Sequence, residues 1–188
     1  ARVEIDGFQN VSIPNGSQDL VITNVPFVRD LRVFDKEESD LSKRFTQIQD
    51  FCIAKNIRKL REGGLGIFIA GKSSLDSSKD LRKWIVKEGN CDVVGAFRLN
   101  KDTFNGTSAT ADIIVVKKRV NGVVSPNAID ILDVETIKVD EVEVDTTYNS
   151  KTRTWEPVTK RVALAYNQHY VQHPEDMGGE MALGKDEG

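Results

Sequence analysis

The chain has 188 residues, 39% hydrophobic and 29% charged, with a formal net charge of −3. That composition suits a soluble globular protein with one sizeable core, and it excludes a bulk basic surface for nucleic acid. No apolar run approaches the roughly 20 residues that span a bilayer, and no basic stretch followed by an apolar one opens the sequence, so a cytoplasmic protein without membrane contact is expected. Arg2 to Ile5 reads as a short strand, Asp6-Gly7 as a turn and Pro14-Asn15-Gly16-Ser17 as a turn cluster. Asp19 to Thr23 is apolar enough for a buried strand, and residues 24–40 read as loop. Leu41 to Glu62 predicts one long helix: Phe45, Ile48, Cys52, Ile57 and Leu60 recur at helical spacing, and Phe51 and Ile53 widen the stripe. Gly63-Gly64 would stop it, where a positive φ is needed.

Leu65 to Ala70 is the next predicted strand, and Gly71 to Leu75 a loop. Asp76 or Ser77 can cap a helix to about Glu88, ended by Gly89-Asn90. Asp92 to Leu99 and Asp112 to Val116 are further strands, separated by a polar loop and followed by Lys117-Lys118-Arg119. The alternation predicts an α/β fold, with helices on a largely parallel sheet. The last two strands have no helix between them and can pair as an antiparallel hairpin. After residue 120, Ile137, Val139, Val142 and Val144 alternate with charge, Tyr148 to Lys151 can turn, and Thr154 to Leu164 can return. An appended β-hairpin is expected. The tail from Tyr166 is polar and glycine-rich, and is expected to pack poorly apart from Tyr170 and Val171.

Cys52 falls on the apolar helix face and Cys91 opens a strand, so both read as buried free thiols of a reducing compartment. Gly71-Lys72-Ser73-Ser74 has the wrong preceding spacing for a phosphate loop. His169 and His173 stand i, i+4 with Glu175 near, but no third ligand supports a metal, and exposed tail residues are expected. Asp19 and Asp30 read as surface carboxylates. The basic clusters Lys55-Arg58-Lys59-Arg61, Lys117-Lys118-Arg119, Lys151-Arg153 and Lys160-Arg161 each read as solvated charge.

Asn24-Val25-Pro26-Phe27, at the carboxyl end of the first strong strand, can carry chemistry. An exocyclic amine is a weak nucleophile because its lone pair is delocalised into the ring. Two acceptors on its hydrogens, the Asn24 side-chain oxygen and the Val25 carbonyl, would favour a tetrahedral nitrogen. Pro26 would set the turn, and Phe27 would stack on a base drawn out of the duplex. The alternative is a polar turn with a core-anchoring Phe.

The four residues resemble the Asn-Pro-Pro-aromatic signature of methyltransferases that modify amino groups in DNA, with Val25 in place of the first proline. Phe51-Cys52-Ile53-Ala54-Lys55, Leu60-Arg61-Glu62-Gly63-Gly64, Phe68-Ile69-Ala70, Gly95-Ala96-Phe97-Arg98-Leu99 and Thr110-Ala111-Asp112-Ile113-Ile114 follow in order. The series, with Tyr170 to Glu175, resembles the adenine-specific DNA methyltransferases joined to helicase-like regions in phages and mobile elements. The resemblance implies a partial Rossmann-like sheet in a three-layer αβα arrangement. It also implies S-adenosylmethionine as cofactor, DNA as partner, and a role in restriction-modification. It divides the chain into the carboxyl-terminal half of a catalytic domain (1–119), a β-rich hairpin segment (120–165) and a polar tail (166–188). The family's Phe-x-Gly-x-Gly cofactor loop is absent from the 23 residues before Asn24, and the sequence starts at Ala1. The chain is therefore expected to be a fragment that binds the cofactor weakly or not at all, completed by the remainder of its parent chain. An exposed sheet edge would also permit a homodimer. The competing readings are a catalytically inactive module that binds DNA or a protein, and methylation of another planar amide such as a protein glutamine.

Overall fold

The structure, a computed structural model, describes residues 6–28, 34–100, 103–104 and 109–179; the side chains of 137–140, 142 and 144 fall outside that description. The expected strand Arg2 to Ile5, Asp30 and the end of the tail also lie outside the described residues. Four strands form one sheet in the order β1-β2-β4-β3: β1 (Gln18–Asn24), β2 (Leu60–Gly71), β3 (Cys91–Arg98) and β4 (Ala111–Lys118). Only β1 and β2 pair in parallel, while β4 runs antiparallel to both β2 and β3. The sheet is thus mixed, not largely parallel. The reason lies in the connections. Helices α1 (Ser39–Arg44) and α2 (Ile48–Lys59) carry the chain from β1 to β2, and α3 (Ser73–Asp76) and α4 (Lys79–Lys87) carry it from β2 to β3. Without a helix after β3, the chain doubles back and β4 slots between β2 and β3, as the absence of a crossover there suggested.

The predicted helix over 41–62 is two helices. Its backbone opens at Phe45, whose φ of −100° and ψ of 102° are extended. The apolar period survives the break because the Phe45 ring still reaches inward, edge-on to Trp84 at 5.9 Å. β2 starts directly after α2, at Leu60, so Gly63 is not a helix cap. Its φ of +74° lies inside the strand. There it accommodates a bulge, where pairing with β1 jumps from Gln18↔Leu60 to Leu20↔Leu65.

The core sits on one face of the sheet. Phe51, Ile53 and Ile57 of α2 and Leu81, Trp84 and Ile85 of α4 pack with Phe68, Ala70, Val93, Ala96, Ile114 and Val116. Each large side chain buried there contributes about 1.5–3 kcal/mol. Alternation sends the other residues of each strand to the opposite face. Ile22 aligns with Ile67, and Ile67 with Val115; Ile69 aligns with Ile113, and Ile113 with Phe97. That face is apolar and open: Leu20 is 50% exposed, Ile22 67% and Phe97 46%. Of three αβα layers, the described residues supply two.

β5 (Val134–Asn149) and β6 (Thr154–Asn167) form a separate antiparallel ribbon, the expected hairpin extended at both ends. Its root is anchored: the Asn167 side chain donates to the carbonyls of Leu75 and Ile131, at 3.1 and 2.7 Å. The start of the tail packs through Tyr170, as expected, while residues 172–175 and 178–179 are exposed. In α5 (Gln168–Gln172), Tyr170 and His169 are buried, and Gly178 N–H donates to the Arg98 carbonyl at 2.8 Å. Among the described residues, no helix is long and apolar enough to cross a membrane.

Candidate functional site

The parallel pair β1 and β2 ends on one side of the sheet, and open α/β sheets bind ligands at the carboxyl ends of such strands. Asn24 closes β1 and is exposed. Val25 N–H donates to the Ile69 carbonyl at 2.9 Å, carrying the ladder one residue further, and its side chain is buried in the core. A proline here could not make that bond, which gives a physical reason for valine at this position. Pro26 is exposed, and the Phe27 ring is at the margin, 36% exposed. A Cβ on Gly71 would lie 3.0 Å from Gln49 Oε1 and 3.9 Å from the Phe27 ring. Glycine thus lets both side chains close on the end of β2, where Gln49 also donates to the Ser73 hydroxyl.

Beside this end lies a cavity of about 220 Å³. Phe8, Gln9, Thr23, Asn24, Pro26, Ile48, Phe51, Cys52 and Asn56 line it. Of the four motif residues, Asn24 and Pro26 reach the cavity, Phe27 stands by Gly71, and the Val25 side chain turns into the core. The sequence reading missed Phe8, Gln9, Gln49 and Asn56. Gln49 and Asn56 are buried on α2, but so are Asp50, Lys55 and Lys59, and polar residue type alone did not single the two out. Nothing local marked Phe8 or Gln9.

Buried charge fixes the wall that carries Phe8 and Gln9. Lys55 Nζ donates to Asp35 at 2.7 Å and to the carbonyls of Phe8 and Val11 at 2.8 and 3.2 Å. Lys59 Nζ reaches Glu38 and Asn15, both at 2.7 Å. Both lysines are buried, so this cluster is not solvated charge as expected; Arg61, paired with Asp19 in the open, is. Burial pushes the Asp35 carboxyl up, but the Lys55 ammonium and the N–H groups of Glu37 and Glu38 together outweigh it and the net direction is down.

A second buried cluster stands where β3 ends and β4 begins. Arg98 Nε and Nη2 donate to the two oxygens of Asp112 at 2.8 and 2.9 Å, and Nη2 also to Asp76 at 2.9 Å. The guanidinium lies 4.3 Å from the centre of the Tyr170 ring. Burial works against its charge, yet the two carboxylates prevail and its proton is held more tightly than usual. Asp76 also accepts the Asn167 N–H at 3.0 Å, so the cluster joins the sheet to the tail.

Chemically, the cavity is neutral. It offers amides at Gln9, Asn24 and Asn56 against apolar walls. Burial pushes the Cys52 thiol up to about 11, so it stays protonated and is no nucleophile at neutral pH. The volume is below the ~300–1,000 Å³ of drug-sized sites, and matches a single ring system. Such a site can grip and orient a flat group, but it holds no side chain suited to moving protons. Among the described residues, no group of three or more His, Cys, Asp or Glu is placed to hold a metal ion. His169 is buried rather than exposed, with Nε2 2.9 Å from Asp176; His173 faces Glu175 at 3.1 Å.

No family model matches the chain. It is similar to the Defense against restriction protein B of Escherichia phage P1, 34% identical over 125 residues, which cover 62% of this chain and 5% of that protein. The chain thus spans about a twentieth of that relative's length. Among solved structures it is similar to a putative class I S-adenosylmethionine-dependent methyltransferase from Listeria monocytogenes, at 19% identity and TM-score 0.49, covering 63% of this chain and 37% of that one. A modification subunit of a putative type I restriction enzyme from Vibrio vulnificus aligns at 17% identity and TM-score 0.45, covering 55% and 23%.

Proposed function

We propose that this chain is the target-base half of an adenine-specific, amino-directed DNA methyltransferase, within a longer protein that supplies the cofactor site. The observation that carries the reading is the position of Asn24, Pro26 and Phe27 at the carboxyl end of β1, beside a neutral cavity of ring size. In this reading the Asn24 side-chain oxygen and the Val25 carbonyl accept the two hydrogens of the adenine amino group. The bond from Val25 N–H to Ile69 holds the strand end from which that carbonyl is presented. Phe27 stacks on the extruded base. Methyl transfer would draw on S-adenosylmethionine. The residues here do not fit that cofactor, since the cavity has no carboxylate and no glycine-rich turn, and no step is assigned to it. The isolated chain is expected to bind it weakly or not at all.

The open sheet face supports dependence on further sequence. Leu20, Ile22, Leu65 and Phe97 together make a contiguous apolar surface of a kind that soluble proteins cover. β1 pairs only with β2 among the described strands, so its other edge is free to extend the sheet. The second reading, a non-catalytic module that binds DNA or a protein, is favoured by the net charge of −3 and by the lack of a Phe-x-Gly-x-Gly sequence.

The test is methyl transfer to adenine in duplex DNA by the full-length protein, wild type against Asn24→Ala. Loss of one positioned acceptor should lower the rate by about 10²–10³-fold. Wild-type turnover by the variant would end the assignment. Label on protein amides but not on DNA would select the planar-amide alternative.

A further inference from the structure

The β5–β6 ribbon carries its most exposed aromatic rings at the far end. Trp155 is 69% exposed and Tyr148 52%, and they face each other across the strands. Their centroids are 5.5 Å apart, with planes tilted by 60°. Lys151 and Arg153 stand exposed in the turn between them, and residues 146–155 hold no carboxylate. The nearest one beyond, Glu156, accepts from Asn149 at 2.7 Å and Thr152 at 3.1 Å. Asn149 in turn accepts the Lys151 N–H at 3.0 Å, which fixes the turn. Arg153 has a φ of +56°, which asparagine or glycine would adopt at lower cost.

We propose that this tip binds a single nucleic-acid strand, with a base stacked on the open face of Trp155, the more exposed ring, and phosphates paired with Lys151 and Arg153. Stacking tolerates any base because every base has a π-face, and the cations supply the attraction to the backbone. The tilt between the rings leaves no parallel slot, so a base stacks on one ring and does not intercalate between them. A lipid surface suits the tip poorly. Residues 145–156 include no Leu, Ile, Val, Met or Phe to bury in acyl chains. Glu141, Glu143 and Asp145 line β5 below the tip and confine the contact to its end. The proposal is independent of the chemistry at Asn24.

The chain's two tryptophans make the test direct, because Trp84 is buried and accessible quenching reports Trp155. A short oligothymidylate, without cofactor, should quench the emission of the full chain saturably. Thymine has no exocyclic amino group, so the outcome does not depend on the methyltransferase reading. With two cations engaged, log K should fall against log salt with a slope of about −1.4. Followed by anisotropy of a labelled oligonucleotide, Trp155→Ala should weaken binding about tenfold, while Trp155→Phe keeps most of it. Lys151→Gln with Arg153→Asn should flatten the salt dependence, and asparagine suits the turn. Absence of saturable quenching, an unchanged affinity in Trp155→Ala, or a response to anionic phospholipid vesicles in place of the oligonucleotide would overturn the proposal.

Discussion

Replacing Arg98 by methionine tests how the sheet and the tail are held together. The Arg98 side chain is 2% exposed and Asp112 0%, and three charge-assisted bonds of 2.8–2.9 Å leave the guanidinium for Asp112 and Asp76. Arg98→Met keeps the apolar stem but strands the Asp112 carboxylate in the interior without a counter-charge. Breaking a buried pair in this way costs about 3–5 kcal/mol. The lost contact with Tyr170 adds about 1 kcal/mol. For a domain of this length each kcal/mol moves Tm by roughly 2–4 °C, so a fall of roughly 8–24 °C is expected. Thermal and urea unfolding, followed by Trp84 emission and far-ultraviolet dichroism, measure it. The double variant Arg98→Met/Asp112→Val should regain most of the loss, because an apolar replacement of the whole pair is often neutral. Limited proteolysis should cut the single variant earlier near α5, whose entry residue Asn167 is tied to Asp76. A loss under about 1 kcal/mol, or a double variant as unstable as the single one, would refute the reasoning.

Val25→Pro removes the N–H bonded to Ile69 and should cost about 1–3 kcal/mol in urea unfolding; unchanged stability would mean the bond is not made. Asp50 is buried, and burial first, with Asp80 nearby, raises its carboxyl to about 6 against a partial offset from Ser78. The fold therefore binds its proton more tightly than the unfolded chain does, so stability falls as pH rises from about 4 to 6 and then levels. Asp50→Asn should remove that slope and gain up to about 3 kcal/mol at pH 7, and an unaltered pH profile would count against it. Ile22→Lys, on the open sheet face, should reduce self-association and dye binding of the isolated chain while shifting stability by less than about 0.5 kcal/mol, as read by sedimentation and unfolding. An equally sticky variant would show that the face is indifferent to charge.

The strands were legible in the sequence wherever apolar runs were short and bounded. Ile113 to Val116 and Val93 to Ala96 fall inside β4 and β3 as expected. Strand direction was less legible, because an apolar run reads the same both ways and only the missing crossover hinted at β4. The break at Phe45 was invisible for a different reason: its ring holds a helical position while its backbone does not. Gly63 was recognised as a positive-φ residue, but helix ends and strand bulges both want one. At the site, Asn24 and Pro26 were legible as a motif. The cavity beside them was not, because Phe8 and Gln9 are held there by Lys55, 47 residues away in the chain from Phe8. Tyr170 was legible as the packed residue of the tail, but the burial of Asn167 and His169 beside it was not, because it depends on partners far away in the chain.

The two thiols have a practical consequence for watching this molecule open. Burial pushes Cys52 up to about 11 and Cys91 up to about 12, so neither reacts appreciably with alkylating reagents in the closed fold. They differ in what must part before they do. Cys52 lies in the cavity wall and is released when the segment around Phe8 lifts from α2. Cys91 opens β3 and donates to the Gly89 carbonyl at 3.3 Å, and it becomes reachable only when α4 and the sheet separate. Alkylation rates at the two positions thus act as independent clocks, one for the site and one for the core.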